Sequence, residues 1–308
     1  RDFLKRAAFA TAGLTLGGIN NTVSSAASYS RIVGSNQKVN LAYIGIGNRG
    51  WEIMNDFDKT GLSNVVALCD VDLGAKHTQN ALAKHPKAKQ FKDFRTMFDK
   101  MGNEIDAVAI ATPDFAHFPA VMMAIKEGKH VYVEKPMART FNEVELMIQA
   151  AKKYPNVVTQ MGNQGHSEAN FFQFKTWVEE GIIKDVTAIT AHMNNPRRWH
   201  GWDSNIIKFP NAEPVPDTLD WDLWLSAQSY HDYNKDFHYG QWRCWYDFGM
   251  GALGDWGAHI IDTAHRFLDL GLPEEITPLK LTEHNDYFFP MSSTIEFKFP
   301  KRGNMPPV

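Results

Sequence analysis

From Lys38 onward, short continuous apolar blocks alternate with stretches whose apolar positions recur at helical spacing. Residues 39–44, 64–69, 107–111, 130–133 and 157–160 read as buried strands. Between them the spacing predicts helices over 49–57, from Asp72 as N-cap to Lys84, over 93–100, and from Asp114 as cap to Gly128. A further helix runs to Lys153, opened by the capping box Thr140-Phe141-Asn142-Glu143. Strand–helix alternation of this kind predicts a parallel sheet with right-handed crossovers and helices on both faces. Beyond Gly162 the pattern loosens. A helix over 168–180 and a strand over 186–193 precede a long loop dense in Trp, Pro, Asn and Asp, followed by a helix over 254–268 and strands near 279–282 and 292–299. The last strand runs straight into the C-terminus, so the second sheet is expected to be cut short.

The division that follows is 1–36 as export signal and linker, 37–161 as the parallel-sheet domain and 162–308 as a second α/β domain. Residues 1–6 are basic, 7–19 weakly apolar, and Ser24-Ser25-Ala26-Ala27 small, the order of an export signal. Arg1-x-Phe3-Leu4-Lys5 resembles the tail of a twin-arginine motif, which predicts a periplasmic or otherwise exported protein. The apolar run is too short and glycine-rich for a membrane span. Its other reading is a frayed amphipathic N-terminus.

Composition narrows the partners. A net charge of −3 with 22% charged residues gives no reason to expect nucleic acid or an anionic membrane. Two cysteines, Cys69 and Cys244, make no disulfide framework. Histidines 192, 200, 231, 238, 259 and 265 show no H-x-x-x-H or H-E-x-x-H spacing, so no metal is expected. The aromatic share is 12%, and eight of the nine tryptophans follow Trp51, which concentrates stacking surface in the second domain.

Gly45-Ile46-Gly47-Asn48-Arg49-Gly50 matches G-x-G-x-x-G directly after a strand and at a helix start, and Asp70 ends the next strand. That context fits a dinucleotide fingerprint. The glycines allow a tight turn, approach of a pyrophosphate and close packing, while Asp70 accepts from ribose hydroxyls and favours NAD over NADP. Arg49 keeps NADP open, because a cation near the loop could serve a phosphate. A glycine turn in a ligand-free flavodoxin-like domain is the plainer reading. Thr112-Pro113-Asp114-x-x-His117 and Glu134-Lys135-Pro136 end the following strands at the same sheet edge, where open sheets bind ligands. On position alone Lys135 is either a reactive amine or a surface lysine in a turn.

With Ala111-Thr112-Pro113, Glu134-Lys135-Pro136 and Gly254-Asp255-Trp256-Gly257-Ala258-His259 added to the glycine loop and Asp70, the chain resembles the Gfo/Idh/MocA oxidoreductases. The resemblance implies an N-terminal Rossmann doubly wound parallel sheet plus a C-terminal α/β domain with an open, mostly antiparallel sheet that often builds homo-oligomers. It also implies hydride transfer between NAD(P) and a secondary hydroxyl of a sugar, glycoside or cyclitol. Lys135 would polarise the reacting oxygen, His259 would take the hydroxyl proton, and Asp255 would hold a substrate hydroxyl or orient the imidazole. Asp255 and His259, four apart, share a helix face; their plainer reading is a dipole-favoured N-terminal aspartate and a packed core histidine. The cofactor would lie on Gly45, Gly47, Asn48, Arg49, Gly50, Asp70, Thr112, Pro113, His117, Glu134, Lys135 and Asn163. Substrate would meet Lys135, Gln164, Arg243, Trp245, Asp255 and His259. The tryptophan-rich segments, Trp199-His200-Gly201-Trp202 among them, either stack on a sugar or pack a loop core. Some relatives of the family cleave glycosides by transient oxidation, elimination and re-reduction, the alternative reaction for this chain. A non-catalytic sugar or nucleotide sensor would need no such lysine, aspartate and histidine together.

Overall fold

The computed structural model describes residues 38–193, 205–206, 208–238, 240–283 and 285–308; the expected export signal and Trp199-His200-Gly201-Trp202 lie outside them. Six strands make one parallel sheet: β1 (Val39–Ile44), β2 (Ser63–Cys69), β3 (Lys89–Phe91), β4 (Ala107–Ile110), β5 (His130–Glu134) and β6 (Thr159–Gly162). Their spatial order is β3-β2-β1-β4-β5-β6, the doubly wound Rossmann arrangement. The order reverses between β1 and β4, which leaves a crevice at their carboxyl ends.

Alternation along each strand fills two cores. Ala42, Ile44, Ala67, Cys69, Val108 and Ile110 face one layer, and Leu41, Tyr43, Leu68 and Ala109 face the other. The helices cover those faces. α1 (Asn48–Thr60) buries Gly50, Ile53 and Met54, spaced for one stripe, and stops at Gly61 with φ 66°. α2 is Gln79–Lys84. α3 (Phe94–Met101) is capped by the Asp93 carboxylate, which accepts from Arg95 N. α4 is His117–Lys126, and α5 (Phe141–Lys153) opens with the expected capping box complete.

Two expected caps fail. α2 starts at Gln79 after a run of turns, and Asp72 makes no side-chain cap. Asp114 begins a 3₁₀ turn, Asp114–Ala116, ahead of α4 and is buried toward the crevice instead of capping it.

After α6 (Ala169–Glu179), residues 186–193 form no strand. Among the described residues, the only other sheet pairs β7 (Glu275–Thr282) antiparallel with β8 (Ser292–Lys298), and 186–193 is not part of it. The expected helix over 254–268 is broken into a π turn (Leu253–Gly257), α8 (Ala258–Ile260) and α9 (Asp262–Phe267), numbered after α7 (Trp221–Leu225). The aromatic segment builds a core of its own around Trp221, Trp224, Phe237, Trp245, Phe248 and Phe288. Phe115, which follows β4, inserts into it at 5.1 Å from Trp224 and 5.6 Å from Phe248. This fixes the segment over the crevice.

Candidate active site

Backbone approach decides the glycine spacing. Gly45 has φ +82°, and a Cβ there would stand 2.7 Å from the Ala111 carbonyl, so β1 can turn beside β4 only with glycine. A Cβ on Gly50 would meet Gly45 O at 2.1 Å, which lets α1 start tight against the turn. Gly50 therefore packs behind the loop and does not line the cleft. Gly47 N-caps α1 without a side-chain cap, and no acidic residue occupies the first turn. The N-terminal N–H groups of this helix suit an anion.

Asp70 holds this loop. One carboxylate oxygen accepts from Ile46 N and the other from Asp72 N, each at 3.0 Å. Burial raises its pKa, opposed by those two N–H groups. Arg49 reaches the other way, with Nε donating to Glu134 Oε1 at 3.0 Å and Nη1 to Glu52 at 2.9 Å. Because β1 and β4 separate β2 from β5, the guanidinium sits away from Asp70 and from the ribose that Asp70 would hold.

The loops after β4 and β5 are stitched by His117, whose Nδ1 lies 2.8 Å from Pro136 O and Nε2 3.0 Å from Thr112 O. Burial lowers this imidazole to about 4. It is neutral near pH 7 and donates to one of the two carbonyls at a time. Thr112 Oγ1, in the cleft wall, is buried without a partner.

Lys135 leaves β5 into a cluster of charges. Its Nζ donates to the Asp255 carbonyl at 2.5 Å and to Asp255 Oδ1 at 3.0 Å. Arg243 Nε lies 3.3 Å from the same Oδ1, with its guanidinium 4.1 Å over the Trp242 ring. Asp255, in the π turn, is 4% exposed on its side chain, so both cations meet a desolvated carboxylate. His259 follows on α8, its ring 5.3 Å from Trp256. Burial and then the Lys135 cation push its pKa down, against Asp255 and the Gln164 backbone. His259 Nδ1 is buried with no hydrogen-bond partner. Asp114 faces the same cluster. Burial lifts its carboxyl to about 7, resisted by Arg243 and Lys135 and reinforced by Asp255.

One cleft of about 530 Å³ collects most of the residues expected from the sequence. Of those expected to meet a cofactor these are Gly45, Gly47, Asn48, Arg49, Asp70, Thr112, Pro113, His117, Glu134 and Lys135; of those expected to meet a substrate, Gln164, Arg243, Asp255 and His259. Two are corrected. Asn163 stands outside the lining; its Nδ2 donates to Ala258 O at 3.1 Å and ties the end of β6 to α8. Trp245 is 1% exposed in the aromatic core, its indole N–H donating to Asp236 O at 3.0 Å, so it packs and does not stack on substrate. The lining also holds residues not expected from the sequence, Asp72, Asp114, Trp242 and His238 among them. Asp114 lies inside the Thr112-to-His117 motif and was legible only as a helix cap. Among the described residues, no three His, Cys, Asp or Glu side chains gather to hold a metal, and no helix is long and apolar enough to cross a membrane.

Comparison with known proteins agrees with this architecture. The Gfo/Idh/MocA oxidoreductase family, NAD-binding Rossmann fold, matches residues 39–161, and its C-terminal alpha/beta domain matches 168–285. A glycosyl hydrolase family 109 protein from Shewanella sp. (strain MR-4) is 26% identical over 65% of this chain and 46% of its own length. An inositol 2-dehydrogenase/D-chiro-inositol 3-dehydrogenase from Lactiplantibacillus plantarum is 27% identical over 62% of this chain and 53% of its own. The chain thus spans about half the length of these curated relatives. Among solved structures, the WlbA dehydrogenase of Chromobacterium violaceum in complex with NADH and UDP-GlcNAcA shares the fold. It has a TM-score of 0.60 at 18% identity, over 86% of this chain and 65% of that one. The strand order, the glycine loop and both domain matches place the chain in the Gfo/Idh/MocA family of oxidoreductases, with an NAD-binding Rossmann domain.

Proposed function

We propose that the protein transfers hydride between NAD and a secondary hydroxyl of a sugar-like or cyclitol substrate. The observation that carries this reading is the convergence of Lys135, Asp255 and His259 at the carboxyl end of β5, in the same cleft as the glycine loop. The cleft's own residues fit the dinucleotide: uncapped N–H groups on α1, a carboxylate at the tip of β2, and the orphaned Thr112 hydroxyl in the wall. Gly47, Asn48, Asp70 and Thr112 would hold it, and its nicotinamide supplies the hydride acceptor or donor.

The remaining chemistry belongs to the protein. An ammonium has three N–H groups, and Lys135 spends two on Asp255. The third is left for the reacting oxygen, where it stabilises negative charge as the hydroxyl proton departs. His259, its pKa lowered by burial and by Lys135, is a neutral acceptor near pH 7 for that proton. Asp255 pairs with Lys135 and Arg243 together, so it orients the cations and leaves the proton to His259.

Family 109 glycosyl hydrolases among the relatives support a second reading, glycoside cleavage through transient oxidation with no net redox change. One experiment separates the two: mass spectrometry of nicotinamide released from purified protein, then a screen of cyclitols, free sugars and glycosides with NADH followed optically. Substrate-dependent NADH formation supports the dehydrogenase. Glycoside cleavage without NADH accumulation replaces it with the second reading, and failure to bind nicotinamide defeats both.

A further inference from the structure

Asp72 is a carboxylate with no counterpart in the free protein. It is 2% exposed, and neither carboxylate oxygen has a hydrogen-bond partner among the described residues. Its backbone is firmly held: the N–H donates to Asp70 Oδ1 at 3.0 Å, and the carbonyl accepts from Ala75 N and Thr78 Oγ1, each at 3.2 Å. The titratable groups around it are Asp70, His77 and His238. Asp70 repels it, and His238, kept to about 4 by burial, is neutral near pH 7. A buried carboxylate without a hydrogen-bond partner is costly, and one in the wall of a cleft calls for a donor that arrives with a ligand.

The surroundings identify the donor. Trp224, Ser226 and His238 line the cleft together with Asp72, the Trp224 and His238 rings lying 5.6 Å apart at a steep angle. That wall is anchored to the Rossmann side. Asp220 N donates to Val71 O at 3.0 Å, and Lys92 Nζ donates to Thr218 O at 2.8 Å. Gly74 meets Thr218 so closely that a Cβ on it would stand 2.2 Å from Cγ2. An aromatic wall suits the face of a planar heterocycle, and an acceptor at its edge suits an amine. With the adenosine ribose on Asp70, the base is the next group outward, and its exocyclic amine is a hydrogen-bond donor.

We propose that Asp72 accepts a hydrogen bond from the adenine amine, in a compartment walled by Trp224 and His238; this rests on the dinucleotide reading of the cleft. Protein stripped of nicotinamide is titrated by fluorescence with NADH and with its hypoxanthine analogue, in which the amine is replaced by oxygen. Wild type should prefer NADH by about 10- to 100-fold, the range of a hydrogen bond to a charged group. Asp72→Ala should bind the two within about threefold of each other, and Asp72→Asn, a neutral acceptor of the same shape, should fall between. Thermal unfolding of the stripped Asp72→Ala protein should occur at or above the wild-type temperature, since a buried carboxyl group without hydrogen-bond partners is removed. Equal binding of both dinucleotides by wild type overturns the assignment and leaves the dinucleotide reading standing, whereas binding of neither defeats both. A stripped Asp72→Ala protein that unfolds earlier yet keeps the NADH preference makes Asp72 structural and also overturns the assignment.

Discussion

Replacing Asp114 with asparagine should stabilise the protein in alkaline solution and leave it unchanged in acid. The carboxyl is 4% exposed, and burial moves its pKa from 3.8 to about 7 against the opposing pull of Arg243 and Lys135. In the unfolded chain it returns to its ordinary value. Between those two pH values the folded protein keeps a proton that the unfolded chain releases. The stability owed to this group is therefore complete below about pH 4 and is lost as pH rises through about 7. A gap of roughly three pKa units corresponds to at most about 4 kcal/mol, because any opening that admits water to the carboxylate lessens the penalty. Asparagine keeps the shape of the protonated acid and carries no titrating proton. Urea unfolding of stripped protein at about pH 4, 7 and 9 should show the two proteins equal at the first value and the variant ahead by a few kcal/mol at the last. Parallel stability curves across that range would show that Asp114 titrates as an ordinary carboxylate and would refute the reasoning.

The His259 ring, followed by NMR titration, should protonate below the usual imidazole range, and Lys135→Met should move it upward by removing the second-largest depressing influence. An unshifted ring would mean that the amine and imidazole are not neighbours in solution. Trp245→Phe should cost about 1–3 kcal/mol by stripping the Asp236 carbonyl of its buried donor. It should leave the KM for cofactor and substrate unchanged, and a raised substrate KM would restore Trp245 to the binding surface.

Strands β1, β2, β4 and β5 were legible because each is a short apolar block closed by Gly, Asp or Pro with both faces covered, whereas β3, short and largely exposed at the sheet edge, was not expected from the sequence. The cleft was legible where side chains sit at strand ends, since the topology fixes that edge. What escaped depended on direction. Asp72 and Asp114 each precede a helical run, as a cap does, yet a cap requires the side chain to turn back on its own helix, and both are buried at the cleft. Trp242 and Trp245 are three apart in one aromatic run, and only packing decides that Trp242 underlies Arg243 in the cleft while Trp245 fills the core. The strand expected over 186–193 carries suitable residues but pairs with no strand among the described residues, and no local pattern supplies a pairing partner.

The most consequential departure from pattern lies where the chemistry is. A regular helix over 254–268 would aim the Asp255 carbonyl along its axis at the His259 N–H four residues on. The π turn over Leu253–Gly257 departs from that regular ladder, and the Asp255 carbonyl accepts from Lys135 Nζ. Asp255 thereby grips the lysine with both a main-chain and a side-chain oxygen while keeping Arg243 at 3.3 Å. The carboxylate alone could balance the lysine's charge without fixing its direction. The carbonyl supplies the second acceptor that a fixed ammonium needs, so the helix gives up local regularity for the orientation of Lys135.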